Sequence, residues 1–177
     1  MVGILGSLWG ITGVMLLLGS AVYRLTPLAV DAFTHEMLWY HWAFFAFVLL
    51  FMAYAEGYRA FQQGFSPRVA ARARYLRNHR NTLHALLAPL FCMGYFHAPK
   101  RRRVTSISVT VGIIVLVLLV RLLPQPWRGI VDAGVVVGLA WGLVSLLVFA
   151  IQAFTVEEFK YSPEVPEEKM GQASELR

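Results

Sequence analysis

The chain has 177 residues, of which 58% are hydrophobic and only 15% are charged. Ordinary soluble domains carry about 25% charged residues, so this composition excludes a disordered chain, a disulfide scaffold and most soluble enzymes. The net charge of +6 is local, because 10 of the 16 Lys and Arg residues lie between Arg59 and Arg103. Cations beside apolar spans are typical of cytoplasmic segments, and since no recognition motif accompanies them we expect no nucleic acid partner.

Four apolar stretches are long enough to cross a hydrocarbon core about 30 Å thick, which takes roughly 20 helical residues. The sequence therefore predicts an all-α integral membrane protein with a single membrane domain over residues 1–156. We interpret the first stretch as a retained helix rather than a signal peptide, because it has no basic region and is too long. The predicted spans cover about residues 2–23, 37–55, 104–123 and 130–156.

A fifth apolar stretch, residues 83–96, is too short to cross. Its 14 residues would rise only about 21 Å as a helix. Basic residues stand on both sides of it, at Arg80 and at 100–103, and a crossing would place one of these groups outside. We therefore predict that residues 66–97 form a cytoplasm-facing amphipathic or re-entrant segment. A five-span topology is the alternative.

Ser66 and Pro67 are typical of a helix start, and the helix that follows is strongly basic. Arginines of such a helix can reach anionic head groups from the membrane surface. The simpler interpretation is a topology determinant, and the sharper one is a docking surface for acidic lipid or a partner protein. The predicted lipid- or partner-binding residues are Arg68, Arg72, Arg74, Arg77, Lys100, Arg101, Arg102 and Arg103.

The last 21 residues, 157–177, hold six of the ten acidic residues and lack apolar periodicity. We predict a flexible acidic tail that folds back on the basic region or reaches a partner. The charge distribution places both termini in the cytoplasm of a bacterial-type inner membrane. Trp39 and Trp127 would mark the outer boundary, and Tyr54 and Tyr58 the inner one.

Glycines recur on one face of the first and fourth spans. Because lipid is as apolar as leucine, helices associate in membranes through close packing, which small residues permit. We predict packing stripes on both helices, within the chain or between two copies. Their members include Gly6, Gly10, Gly134, Gly138 and Gly142.

Two carboxylates fall in or near the spans. Glu56 is placed near the inner boundary by its distance from Trp39, and Asp132 near the outer one. Ion pairs with Arg59 and Arg128 are the simple explanation for each. Glu56 is also a candidate catalytic or proton-handling residue, because ionisable groups at membrane depth often have a function.

Histidines offer weaker candidates. Asp31 and His35 are four residues apart and could contribute to a metal site, but the spacing matches no established signature. His84 is a weak catalytic candidate, and with His97 it could form a haem pair. We predict no metal site and no cofactor. The single cysteine, Cys92, is expected to be packed rather than reactive.

No phosphate loop, nucleophile elbow, metalloprotease motif or redox Cys pair is present. The favoured hypothesis is therefore a non-catalytic accessory, interaction or assembly protein of the membrane. Two alternatives stay open: a small oligomeric transporter or channel, and a membrane enzyme acting on a lipid-soluble substrate.

Overall fold

The computed structural model describes residues 2–78, 86–95, 98–156, 159–163 and 165. Within these ranges the chain is helical and contains no strand. A single 3₁₀ turn, Ala32–Thr34, follows the first helix. The helices are α1 (Val2–Asp31), α2 (Trp39–Met52), a π-helical section (Ala53–Phe65), α3 (Ser66–Asn78), α4 (Ala88–Cys92), α5 (Lys100–Val120) and α6 (Trp127–Thr155).

Four helical stretches of the described chain are long and apolar enough to cross a membrane, and they confirm the predicted all-α membrane fold. α1 exceeds its predicted span: it continues to Asp31 with Pro27 inside the helix, so most of the predicted first loop is helical. The four stretches are Gly3–Thr34, Trp39–Asn78, Arg103–Val120 and Trp127–Thr155.

The core of the bundle consists of α1, the long helix Trp39–Asn78 and α6. At one end of the bundle, a Cβ added to Gly129 would lie 2.7 Å from the carbonyl oxygen of Leu28. At the other end, a Cβ added to Gly3 would lie 2.6 Å from the carbonyl oxygen of Arg77. α1 is therefore antiparallel to the other two helices. These ends are called the Trp127 end and the Arg77 end below.

The long helix runs without a break through its π-helical section, in which each amide bonds the carbonyl five residues earlier. The amide of Ser66 bonds Phe61 in this way. The section ends at Phe65, two residues before Pro67, whose ring would clash with the carbonyl four residues back in a regular α-helix. The helix start that Ser66 and Pro67 suggested is therefore an interior position, where the wider register accommodates the proline.

Ser66 instead joins the long helix to α6. Its buried hydroxyl lies 2.8 Å from the hydroxyl of Ser145. Ser145 donates its own proton to the carbonyl of Gly142 at 3.0 Å, so Ser66 is the donor of the first bond. Two hydroxyls inside the bundle thus satisfy each other, as buried polar groups must.

The short helix α4 is docked into the bundle. It has five residues, which rise about 7.5 Å, so α4 alone is too short to cross; that residues 66–97 form a re-entrant segment stays a prediction. Ala88, Phe91 and Cys92 are buried. A Cβ on Gly10 would lie 2.8 Å from the Cys92 sulfur, so α4 packs closely against the backbone of α1.

The glycines of α6 face the long helix of the same chain. A Cβ at Gly134 would approach Val48 to 2.5 Å, and one at Gly142 would approach the ring of Phe61 to 2.7 Å. Between them, Gly138 faces Glu56. These positions admit close approach of the two backbones, while assembly of the helices in the membrane through the stripes stays a prediction.

α5 is packed differently from the other spans. Every Val, Ile and Leu between residues 104 and 119 is at least 41% exposed. Two hydrogen bonds attach it to the turn after α4: Ser106 donates to the carbonyl of Met93 at 3.1 Å, and the hydroxyls of Tyr95 and Thr110 bond each other. The turn itself depends on Gly94, whose φ of +83° favours glycine.

Filling the contact between α1 and α4 should destabilise the fold. A Cβ at Gly13 would lie 2.4 Å from Pro89 Cγ, whereas nothing lies within 4 Å of one at Gly19. We expect Gly13→Leu to lower the free energy of unfolding by about 1–3 kcal/mol, the usual cost of overpacking, and Gly19→Leu to leave it unchanged. Thermal unfolding in mild detergent measures the stability of both variants, and equal melting temperatures for the two would contradict the packing of α4 against α1.

Candidate functional site

Arg72, on α3, is the most deeply buried cation of the described chain, with 4% of its surface exposed. Its Nε donates to the carbonyl of Phe91 at 2.7 Å, and its guanidinium carbon lies 4.4 Å from the centre of the Phe91 ring. Its Nη1 donates to the carbonyl of Pro163 at 3.3 Å. One side chain therefore fixes both the end of α4 and the start of the acidic tail.

This geometry revises the predicted binding surface. The last carbonyls of a helix have no partner within it and attract cations, and Phe91 lies in the last turn of α4. The guanidinium of Arg72 is therefore bonded and shielded within the chain, and binding of lipid or of another protein by Arg72 stays a prediction.

The neighbouring arginines also contact the C-terminal segment. Arg74 donates from Nη1 to the carbonyl of Val156 at 2.8 Å, and Arg77 lies 5.7 Å from the Phe154 ring centre. A cleft of about 260 Å³ separates α3 from the end of α6. The tail therefore folds back on the basic helix over its described part. The cleft is lined by Arg74, Arg77, Asn78, Ala153, Phe154, Thr155 and Val156.

The other predicted cations are distributed around this region. Arg68 lies near Gly64, where an added Cβ would be 3.1 Å from its Nη2. At the start of α5, Lys100, Arg101 and Arg103 are exposed. The side chain of Arg102 lies outside the described part of the chain. Binding of lipid or protein by these cations stays a prediction.

Glu56 has a position that sequence spacing did not indicate. Its Oε2 would lie 2.9 Å from a Cβ added to Gly138, so the carboxyl rests on the backbone of α6. Among the described residues it has no ion-pair partner, and the expected pair with Arg59 is not formed. Arg59 is exposed instead.

Asp132 has the partner that was expected. Arg128 Nε lies 3.7 Å from its Oδ2, and Asp132 is buried while Arg128 is partly exposed. The ion pair is sufficient to explain both residues at the Trp127 end.

Asp31 takes part in a link between helices. Gln125 donates to its carboxylate at 3.0 Å and accepts the amide of Gly129 at 3.0 Å, which satisfies a free amide in the first turn of α6. His35 bonds the backbone carbonyl of Asp31 at 3.0 Å. No group of three metal-ligating side chains occurs among the residues that the structure describes.

The remaining histidine candidates cannot be located. His79, His84 and His97 lie outside the described residues, so the catalytic role considered for His84 and the haem pair stay untested predictions. His41 is buried at the Trp127 end, where its Nδ1 accepts the amide of Leu38 at 3.2 Å.

Cys92 is buried under α1, as its apolar sequence context indicated. Burial raises the pKa of its thiol to about 12, and the nearby charge of Arg72 opposes part of that rise. The thiol is therefore protonated and inert while α4 is packed in the bundle. Its reactivity can therefore report whether α4 leaves this position.

Comparisons with protein families, with curated proteins and with solved structures find no match to this chain. The class of protein rests on the fold: a multi-pass, all-helical membrane architecture.

Removing the guanidinium of Arg72 should release α4. We expect Arg72→Met to cost about 1.5–3 kcal/mol, typical of a hydrogen bond to a charged group, and to speed alkylation of Cys92 by maleimide. Loss of the Arg72 charge alone would raise the thiol pKa further and slow the reaction, so faster labelling reports opening. Arg77→Met is the control because Arg77 is exposed. Equal labelling rates in both variants and the parent protein would show that Arg72 does not hold α4 in place.

Proposed function

We propose that this chain is a non-catalytic accessory or assembly protein that binds another membrane protein through α5. The supporting observation is the exposure of every Val, Ile and Leu between residues 104 and 119 of α5, each at least 41%. α1, α6 and the long helix, in contrast, pack against one another through glycines and through Ser66 and Ser145. α5 is the span left available to a partner.

One face of α5 suits close helix packing. Ser108 and Gly112 are four residues apart and share a face, and nothing lies within 4 Å of a Cβ added to Gly112. Small residues at this spacing allow two backbones to approach in a membrane. Ser106 and Thr110, which bond the turn after α4, lie on another face and leave this one open.

The charge at the start of α5 favours one kind of partner. Residues 100–103 are four consecutive cations, and a second copy packed in parallel on α5 would bring two such clusters together. A span that adjoins acidic residues on the same side of the membrane would instead be attracted. The proposed partner is therefore a different membrane protein with an acidic flank.

The proposal includes an orientation in a bacterial-type inner membrane with both termini cytoplasmic. The basic segment between Arg59 and Arg103 supports it through the positive-inside rule. A reporter fused after residue 103 should be active in the cytoplasm, and one fused after residue 125 should be exported. Export of the first fusion would reverse the orientation.

Site-specific crosslinking in living cells tests the partner. A photoreactive phenylalanine at Gly112 should give one adduct with another membrane protein, whose crosslinked peptide adjoins acidic residues. The same amino acid at Gly19, which also has open space around it, should not give that adduct. Replacing Arg101 and Arg103 by Gln should reduce the yield severalfold, while the remaining cations keep the orientation.

The alternative outcomes are distinguishable by mass. Adducts of twice the chain mass would indicate a second copy on α5, and lipid adducts alone would mean that α5 faces only the bilayer. Either result would refute the proposed partner.

A further inference from the structure

Glu56 lies near the middle of the contact between the long helix and α6. Its carboxyl rests on Gly138, which comes 11 residues after Trp127, the first of the 29 residues of α6. Along α6 that is about 16 Å, half of a hydrocarbon core of about 30 Å. If Trp127 marks one membrane boundary, as the sequence predicts, the carboxyl is in the interior half of the span.

The side chains next to Glu56 along the helix contact are apolar. One turn of α6 towards the Trp127 end, Gly134 faces Val48 and Met52. One turn towards the Arg77 end, Gly142 faces Phe61. The carboxyl has no hydrogen-bond donor among the described residues, and Glu56 is partly exposed, so no described protein group solvates a charge on it.

Among the described residues, no charged or titratable group on the helices packed around Glu56 is placed to neutralise a charge on its carboxylate. On α6 the nearest is Asp132, which is six residues away and paired with Arg128. On the long helix, Arg59 is exposed and forms no pair with Glu56 within the described residues. The neighbouring tyrosines of the long helix, Tyr54 and Tyr58, are likewise exposed. The cations of α3 and α5 lie beyond the π-helical section or on another span.

The contact is also built to admit this carboxyl. Any side chain at position 138 would place its Cβ 2.9 Å from Oε2 and 3.1 Å from Cβ of Glu56, so it would displace the Glu56 side chain from its present position. Glu56 lies in the first turn of the π-helical section, and such irregular turns occur frequently at functional sites. Glu56 therefore combines two features: a close contact with the glycine at position 138 and a position in an irregular section of its helix.

We propose that Glu56 is a proton-binding site in the membrane interior, a carboxylic acid that is neutral while its side chain packs against Gly138. An ionised carboxylate without a partner is strongly disfavoured in an apolar medium, so loss of the proton displaces the side chain from α6. The ligand is the proton itself. This site is independent of the partner proposed for α5.

A lipid-soluble carbodiimide tests the proposal in the full chain reconstituted in liposomes. A protonated carboxylic acid adds across one C=N bond of the reagent, its proton goes to nitrogen, and the product rearranges to a stable N-acylurea without loss of atoms. We expect mass spectrometry of peptides to find the adduct on Glu56, to find less of it as the pH rises, and to find none in Glu56→Gln.

The chain supplies its own controls. Asp132 is the matched carboxyl of a span, and because Arg128 Nε lies 3.7 Å from its Oδ2, it should be modified less than the unpaired Glu56. A water-soluble carbodiimide should modify the exposed Asp31 and Glu36 but not Glu56. Equal modification of Glu56 by the water-soluble reagent would identify an ordinary hydrated carboxylate and overturn the proposal.

A second measurement decides the case in which no reagent reaches Glu56. The infrared spectrum of the parent protein should contain the carbonyl stretch of a protonated carboxylic acid, which Glu56→Gln removes. Because glutamine is isosteric and neutral, this variant should keep the melting temperature of the parent. Absence of a band that differs between the two proteins would overturn the proposal.

Discussion

The close approach of α6 to the long helix is the contact on which the rest of the bundle depends. In lipid there is no hydrophobic gain from pairing two apolar helices, so their association relies on contact between backbones and on hydrogen bonds. Glycines of α6 allow the backbone contact over three successive turns, and the hydroxyls of Ser66 and Ser145 form the hydrogen bond. This contact positions Glu56, carries α3 to the Arg77 end and brings the C-terminal segment beside the arginines.

Much of the fold follows from the sequence because hydropathy reports what faces lipid. The four spans, the short element around Pro89 and the ion pair of Asp132 could all be predicted from run lengths and spacing. The extent of α1 could not, because the uncharged apolar run stops before Arg24, whereas the helix continues past Pro27 to Asp31. Hydropathy does not register a proline that packing tolerates within a helix.

The candidate site was less accessible to sequence reasoning, and α3 explains why. Its arginines dominate the local hydropathy and suggested a helix on the membrane surface, yet Ala70, Ala73 and Leu76 are buried in the bundle. The run of alanines was the available signal, since small residues mark close packing. Nothing in the sequence indicated that Arg72 would bond the carbonyl of Phe91, because such a bond depends on where two distant segments meet. The contact of Glu56 with Gly138 could not be predicted for a related reason, because it depends on how two helices that are distant in sequence pack together.

The π-helical section also makes the orientation of the long helix beyond it depend on how many residues the section contains, more than on which side chains they carry. Each amide there reaches one residue further back than in an α-helix, so every turn of Ala53–Phe65 holds more residues than an α-helical turn. Deleting one residue from this section would rotate everything beyond it, because each residue of a helix sets a rotation, about 100° in an α-helix. α3 would then present a different face to α1 and α6, and Arg72 would point away from α4. Evolution can therefore exchange side chains in this segment more freely than it can change its length.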